Sequence, residues 1–335
     1  MMDWFEGRKL SVNLPLYEGM AKRFDSREDL EQYYRRYSLN GLEVILAEDS
    51  EKMNQLVTPQ MVNGQHLFFH IFWMDWWKGD HKRLDQLFDS RNQWIDYYGG
   101  EDPSVLLDTY RRELSYAEKM NAEYVVFHVG EVNLEESFTY DFRYSDREVM
   151  EASLEIINTL LEERDYPFDF LVENLWWPGL NLKDTELTQW FLENIHTEKK
   201  GIMLDTGHYM NSIGHICSEE EGVACLIELA DRFERAWMLR WFKGVHLHQS
   251  LSGSYLQALR RGEITFHEKD FYARYQEAYA NTCRIDEHRP FTTDQILDFL
   301  KRIDPAYITF EFQQDSREAY EQRMAVQSRA LGLMK

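Results

Sequence analysis

The sequence predicts a (β/α)8 barrel, a fold in which eight parallel strands alternate with helices around one axis. Eight short apolar runs, rich in β-branched and aromatic residues, recur along the chain, and longer amphipathic stretches separate them. The runs are apolar at both alternating positions, as expected of strands covered on both faces. No glycine-rich phosphate loop follows the first run, which disfavours an open doubly wound sheet. The 335 residues therefore fit one barrel domain spanning 1–335.

Each apolar run is assigned as one strand, and the connections between the strands differ in length. In chain order the strands are KLSVNL (9–14), GLEVIL (41–46), HLFFHI (66–71), YVVFHV (124–129), FLVEN (170–174), GIMLDT (201–206), GVHLH (244–248) and YITFEF (307–312). Ser145 and Glu148 have the spacing of a capping box and predict a helix start between the fourth and fifth strands. The connections 72–102 and 249–290 are long and leave the carboxyl ends of strands three and seven. We therefore expect them to form lids or substrate walls.

Composition and charge exclude several classes of partner. The net charge is −22, from 59 acidic and 37 basic residues, and this disfavours nucleic acid as a partner. The three cysteines have no C-x-x-C spacing, which predicts a cytoplasmic protein without disulfides. No signal peptide and no apolar run of about 18 residues is visible, so neither secretion nor a membrane span is expected. We expect a small-molecule substrate, and the sequence permits a homo-oligomer.

Polar side chains stand at the predicted carboxyl ends of six consecutive strands. In chain order these residues are His70, His128, Glu173, Asp205 with His208 beyond it, His246 with His248, and Glu311. Because strand ends converge on the barrel axis, these side chains should meet there, and a buried charge requires an ionic partner or a metal. Imidazole and carboxylate ligands predict a divalent metal, zinc or manganese first, with magnesium or cobalt as alternatives. Each residue also has a structural interpretation, such as Asp205 as a helix N-cap.

Six of these segments resemble the xylose isomerase-like TIM-barrel superfamily, which includes apurinic endonuclease family 2 and the sugar phosphate isomerases and epimerases. The segments are GLEV, FHVG, LVEN, LDTGH, GVHLH and ITFEF, which lie between residues 41 and 312. Resemblance to the epimerase branch implies one divalent metal held by Glu173, Asp205, His246 and Glu311. It also implies that both glutamates move protons and that His208 contacts the substrate. The arginine that often follows the strand-seven histidine in that branch is absent here.

Resemblance to the endonuclease branch implies a different metal content. Three zinc ions would be bound, with ligands at His70, His128, Glu173, Asp205, His208, His246 and Glu311. That branch also carries an Asp-x-His pair after the seventh strand. His267 lies in this part of the chain but has no aspartate two residues before it, so we assign no such pair.

Three functional hypotheses follow from this set of residues. The first is a metal-dependent isomerase or epimerase of a sugar, sugar acid or sugar phosphate, with glutamates as proton carriers. The alternative is a multi-zinc phosphoester hydrolase of the apurinic endonuclease type, and the third is a non-catalytic metal-binding barrel. Candidates for the substrate wall are Trp176, Trp177 and His248, together with the loop residues Trp73, Trp76 and Trp77, although packing between loop and barrel explains these tryptophans equally well.

Overall fold

The computed structural model, which describes residues 2–48, 50–267 and 270–334, contains a closed barrel of eight parallel strands. Each strand pairs with the next in chain order, and the last strand pairs with the first. The strands are β1 Lys9–Leu16, β2 Gly41–Leu46, β3 Val62–His66, β4 Tyr124–Val129, β5 Asp169–Asn174, β6 Lys200–Asp205, β7 Phe242–His246 and β8 Tyr307–Phe310. The (β/α)8 fold predicted from the sequence is confirmed.

Helices surround the barrel, and short helices also fill the long connections. The α-helices are α1 Glu18–Ala21, α2 Arg27–Arg35, α3 Glu51–Leu56, α4 Met74–Trp77, α5 His81–Leu87, α6 Arg91–Tyr98, α7 Ser104–Lys119, α8 Glu136–Thr139, α9 Asp146–Glu163, α10 Thr185–Glu193, α11 Thr206–Ile213, α12 Glu219–Arg235, α13 Gly253–Arg260, α14 Phe271–Ile285, α15 Ile296–Ile303 and α16 Arg317–Ala330. Short 3-10 turns lie at Met2–Phe5, Pro59–Met61 and Leu239–Trp241. The capping box of Ser145 and Glu148 is present at the start of α9. None of the helices in the described part of the chain is long and apolar enough to cross a lipid bilayer.

The third strand lies four residues earlier than predicted, so its assignment to 66–71 is wrong. β3 spans Val62–His66, and its interior positions carry Asn63 and Gly64 instead of an apolar run. The Asn63 amide donates to the Ser11 hydroxyl at 3.0 Å, which satisfies this buried polar group. A Cβ at Gly64 would lie 2.2 Å from the Tyr124 ring. Packing inside the barrel, and not local hydrophobicity, therefore sets the position of this strand.

The two long connections pack against each other. The connection after β3 contains α4, α5 and α6, and the connection after β7 contains α13 and α14. The ring of Phe271, the first residue of α14, lies 4.2 Å from the Phe88 ring and 5.8 Å from the Tyr97 ring. Glu268 and Lys269 of the second connection lie outside the described residues. The aromatic contact places both connections over the same side of the barrel.

A buried glutamate holds the segment that follows β3. Glu113 of α7 is 6% exposed, and its Oε2 accepts a hydrogen bond of 2.6 Å from the backbone N–H of Phe68. Burial raises the pKa of Glu113 to about 7 from its usual 4.5. The folded chain therefore holds the protonated form of this side chain more tightly than the unfolded chain does.

We predict that Glu113→Gln removes a pH-dependent loss of stability. Because the folded pKa is raised, the stability contributed by the protonated carboxyl is complete below pH 4.5 and is lost as the pH rises through about 7. Urea unfolding should therefore find the Gln variant more stable than wild type at pH 8.5 by roughly 2–3 kcal/mol, and the difference should shrink at pH 5.5. Exposed Glu118 on the same helix supplies the control Glu118→Gln. Equal slopes of stability against pH for all three proteins would contradict the prediction.

Candidate metal centre at the carboxyl ends of the strands

Glu173 of β5 is the centre of a group of four imidazoles. Its side chain is fully buried. Oε2 lies 3.0 Å from His66 Nε2 and 3.2 Å from His128 Nε2. Oε1 lies 3.2 Å from His246 Nδ1 and 3.3 Å from His208 Nδ1. Burial alone would raise the pKa of Glu173, but the neighbouring imidazoles of His128 and His246 hold it well below its usual range. The carboxylate is therefore ionised, and each oxygen faces a different pair of histidines.

The first possible set of metal ligands consists of His66, His128 and Glu173, whose ligand atoms lie within 4.8 Å of one another. His66 Nδ1 lies 3.0 Å from the carbonyl oxygen of Leu67 and donates to it. This bond leaves Nε2 directed at Glu173, as in metal-binding histidines whose second nitrogen is held by a carbonyl. Burial lowers the pKa of His66, but Glu173 outweighs it and raises that pKa to about 9. The carboxylate of Glu173 and the imidazole of His66 thus form an ion pair.

The second set consists of Glu173, Asp205, His246 and Glu311, again with ligand atoms within 4.8 Å of one another. His246 Nδ1 lies 3.0 Å from Glu311 Oε2 and 3.9 Å from Asp205 Oδ2. All four predicted residues therefore meet at one point on the barrel axis. Asp205 also caps α11 by accepting from the backbone N–H of His208 at 2.6 Å, so the two interpretations of Asp205 coexist.

Glu43 of β2 stands behind this second set, and the sequence analysis did not select it. Its Oε1 lies 2.9 Å from His246 Nε2, although the pair is not aligned as a hydrogen bond. Its Oε2 accepts from the Tyr124 hydroxyl at 2.7 Å and from the Thr309 hydroxyl at 2.9 Å. A carboxylate behind a ligating histidine orients the ring and increases its basicity. The acid in the apolar strand GLEVIL was the available signal for this residue.

A third group lies between β6, β7 and the end of α14. His248 Nε2 donates to Asp205 Oδ2 at 2.7 Å, and the ligand atoms of His248, Asp286 and His288 lie within 4.8 Å of one another. Asp286 Oδ2 lies 2.6 Å from His288 Nε2 and 3.3 Å from His208 Nε2. His248 was predicted to line the substrate, but it is fully buried within this group.

The Asp-x-His pair that the sequence analysis did not assign is Asp286 and His288. The pair follows α14, about 40 residues beyond β7, so proximity to the strand could not identify it. His267, the histidine considered instead, is exposed and bonds Glu277. The spacing Asp-Glu-His in the segment 286–288 was the only local signal.

His70 does not reach the candidate centre, so its prediction as a ligand is wrong. It lies beyond the end of β3 among aromatic rings, with ring centres 5.2 Å from Tyr98 and 5.5 Å from Tyr97. Burial lowers the pKa of His70 to about 4. None of the ligand groups found in the described part of the chain includes it. The misplaced third strand explains the error, because His66 holds the strand-end position.

Among the tryptophans predicted to form the substrate wall, Trp176 contacts a histidine of the centre. Its ring lies 5.0 Å from the His208 ring, and Trp177 packs against Trp176 at 4.2 Å. The loop tryptophans serve the packing of the connection after β3. Trp76 stacks on Tyr98, while the indole N–H groups of Trp73 and Trp77 donate to the Gly130 carbonyl and the Glu155 carboxylate, respectively.

The donor set fits divalent cations. Imidazole nitrogens and carboxylate oxygens are ligands for zinc and manganese. Glu311 Oε2 lies 3.0 Å from His246 Nδ1 without the alignment of a hydrogen bond, and His248 Nδ1 is buried with no hydrogen-bond partner among the described residues. A buried polar atom without a partner is unfavourable, and a cation would satisfy both atoms. The first two sets share Glu173, so ions held there would be neighbours.

Comparison with known families agrees with the observed fold. A family model for the xylose isomerase-like TIM barrel matches residues 69–329. The chain belongs to this family. No curated protein matches this xylose isomerase-like barrel. The resemblance inferred from the six sequence segments is thereby confirmed.

Several solved structures share the fold of this xylose isomerase-like barrel. A D-tagatose 3-epimerase-like protein is 14% identical, with a TM-score of 0.52 and 97% of each chain covered. The D-allulose 3-epimerase from Methylomonas sp. is 11% identical, with a TM-score of 0.50 and 97% of each chain covered. The crystal structure of AsfvAP:AG is 11% identical, with a TM-score of 0.52, and covers 98% of this chain and 99% of that one. At these identities the likeness shows the fold alone.

The corrected ligand assignment predicts different metal contents for two histidine variants. His66→Ala should lose about one equivalent of tightly bound zinc, because it removes one of three ligands from the first set. His70→Ala should keep the wild-type content, since this ring lies among aromatic side chains. Elemental analysis after loading with zinc and gel filtration measures both. Zinc loss from His70→Ala with full retention by His66→Ala would reverse the assignment.

Proposed function

We propose that this chain is a metal-dependent hydrolase that cleaves a phosphoester bond in a small substrate with two neighbouring divalent ions. The position of Glu173 carries this proposal. Its Oε2 faces His66 and His128, and its Oε1 faces His246. Because Glu173 belongs to both sets of possible ligands, it would help to hold each of two ions, as two-metal hydrolases require.

The protein residues would hold and orient the reacting groups. When bound, two divalent ions would supply positive charge to activate an attacking water and to stabilise the leaving oxygen. The side chains of His128 and Glu311 are 14% and 12% exposed, more than those of Glu173, Asp205 and His246 in the two sets. The substrate would therefore approach between His128 and Glu311.

Burial and charge support a small substrate. Glu173, Asp205 and His246 are fully buried. Both long connections pack over the barrel, with Phe271 of one against Phe88 of the other. A net charge of −22 repels a long polyanion, and a compact phosphoester carries few charges.

The second candidate is the isomerase or epimerase of a sugar, sugar acid or sugar phosphate. The set of Glu173, Asp205, His246 and Glu311 favours it, since this set could hold one ion without a second ion elsewhere, and one ion is enough for this reaction. This reaction requires Glu173 to take up or return a proton. Both oxygens of Glu173 already face imidazoles, and these hold its pKa well below the usual range. With both oxygens directed at histidines, Glu173 is placed to hold ions, and the hydrolase requires no proton transfer at this residue.

We predict that turnover requires two ions per chain and the Glu173 carboxylate. The metal-free protein is titrated with Mn²⁺ and assayed with bis(p-nitrophenyl) phosphate and p-nitrophenyl phosphate, and separately with D-allulose. Phosphoester hydrolysis should appear with the second equivalent. Glu173→Gln should reduce it by more than about 100-fold, because even partners behind metal ligands contribute 10- to 100-fold.

The control and the alternative outcomes separate the hypotheses. Exposed Glu118→Gln should keep both activity and ion content. Conversion of the ketohexose with one ion per chain would instead establish the isomerase or epimerase. Bound ions without turnover of either substrate class would support a non-catalytic metal-binding barrel.

A further inference from the structure

We propose that a groove between α3 and α7 binds one ester arm of the substrate, and that this arm is a long apolar chain with an acidic end. The groove has a volume of about 880 Å³, within the usual range of small-molecule sites, and it begins at the mouth of the barrel. The inference rests on the proposed function, because it takes the metal centre to cleave a phosphoester. A phosphoester with one such arm remains a small molecule with few charges.

The groove exists because the helix between β2 and β3 is too short to cover its neighbour. α3 has 6 residues and spans about 9 Å, whereas the 16 residues of α7 span about 24 Å. One face of α7 therefore lines the groove instead of packing on α3. The residues of this face are Thr109, Arg112, Glu113, Tyr116 and Lys119, which cover about 15 Å of the helix.

The upper end of the groove adjoins the candidate metal centre. Leu16 and Leu46 line this end, and they are the last residues of β1 and β2 and are paired in register. Ile45 is paired with His66 of the first ligand set, so Leu46 lies one residue beyond the level of His66. None of the ligand groups in the described part of the chain uses the end of β1 or β2. An ester arm of a phosphoester at the centre would therefore leave on this side.

Apolar side chains line the groove from the mouth of the barrel to its far end. Phe68, two residues after His66, lines the mouth and is 38% exposed. Its ring lies 4.7 Å from the ring of His70, which also lines the groove. Farther along, the lining residues are Met53, Val57, Tyr116 and Met120. An apolar chain would cover Phe68 and remove this further surface from water, which favours binding.

Two basic side chains of α7 give the groove its preference for an acidic end. Arg112 and Lys119 both line the groove, and neither forms an ion pair within the described part of the chain. Arg112 donates to the Thr109 hydroxyl at 3.1 Å. α7 runs away from the mouth, because it leads to the start of β4, so Lys119 at its last position lies far from the metal centre. In a chain with a net charge of −22, these two bases complement an anion.

The carboxylates that line the groove lie closer to the mouth. Glu48 follows β2, and Asp96 belongs to α6 in the connection after β3. Glu113 lies between them and Lys119, and its Oε2 accepts from the backbone N–H of Phe68. This distribution of charge orients the ligand. The acidic end of the arm would lie toward Lys119, and the phosphoester would lie at the metal centre.

The test compares three p-nitrophenyl phosphodiesters whose second arm is methyl, octyl, or an octyl chain that ends in a carboxylate. Water attacks the phosphorus, the bond to the p-nitrophenyl oxygen breaks, and the released p-nitrophenolate is measured. For wild-type protein loaded with Mn²⁺, kcat/KM should rise from the methyl to the octyl ester by about threefold for each methylene that the groove buries. The terminal carboxylate should add a further factor of about two to five.

Two variants test the two parts of the groove. Thr109→Trp fills it, so the octyl-to-methyl ratio of kcat/KM should fall to near one. Its matched control is Thr159→Trp on α9, because both threonine hydroxyls bond the carbonyl four residues earlier. Lys119→Gln should abolish only the preference for the carboxylate, and exposed Lys301→Gln on α15 should keep it. Lys119→Gln keeps the test decisive if Thr109→Trp does not fold.

The outcomes distinguish this inference from the proposed function. If all three esters are hydrolysed with equal kcat/KM, the groove is overturned and the hydrolase stands. If no ester is hydrolysed, the hydrolase falls, and calorimetry with methylphosphonate and octylphosphonate, which cannot be hydrolysed, decides the groove alone. Tighter binding of octylphosphonate to wild type but not to Thr109→Trp supports the groove, and equal binding overturns it. A wild-type dimer that Thr109→Trp converts to a monomer would assign the groove to a second copy of the chain and overturn the proposal.

Discussion

The ionised carboxylate of Glu173 is the constraint on which the candidate centre depends. A fully buried charge is unfavourable unless opposite charges or donors surround it, and here imidazoles from four elements do so. Only a closed barrel brings the ends of β3, β4, β5 and β7 to one point. Without a cation, His66, His208 and His246 balance the acid, since neighbouring carboxylates raise the pKa of each of these three imidazoles. With a cation they become neutral ligands, so metal uptake must release protons.

Below the candidate ligands, the interior of the barrel contains a layer of buried polar side chains. Glu43, Tyr124 and Thr309 are fully buried and hydrogen-bonded to one another. Branched apolar side chains usually fill barrel interiors, so this layer departs from the common pattern. Its position behind His246 explains the departure, because a ligating ring must be held at a fixed angle. The interior below the centre is therefore adapted to orient a ligand as well as to pack.

The sequence predicted the barrel because its strands repeat a simple apolar pattern. The prediction failed at β3, where contacts with other strands and not an apolar pattern determine which residues form the strand. β3 contains Asn63 and Gly64, which are explained only by Ser11 and the Tyr124 ring, so no local signal marked the strand. The same displacement moved the predicted ligand from His66 to His70. The end of β5 was predicted at the observed residue and the end of β6 within one residue, so Glu173 and Asp205 lie at the carboxyl ends of their strands.

The Asp286–His288 pair was missed for a different reason. It lies near the centre because of the path of α14. This helix begins beside the connection after β3, where Phe271 packs on Phe88, and ends next to the barrel. A ligand contributed by an inserted helix is far from its strand in sequence, and only the packing of the helix reveals it. Local sequence patterns therefore identify candidate ligands at strand ends, but they miss candidate ligands that follow an inserted helix.

The number of ligands divides the centre into regions with different chemistry. The His66, His128 and Glu173 set has three ligands, one fewer than a closed tetrahedral site. His128 is the most exposed of these three side chains, so a substrate would reach an ion held by this set from the side of His128. The group of His248, Asp286 and His288 is buried and adjoins Asp205 through His248. A substrate would therefore reach the centre beside His128 and Glu311, whose side chains are more exposed than this group.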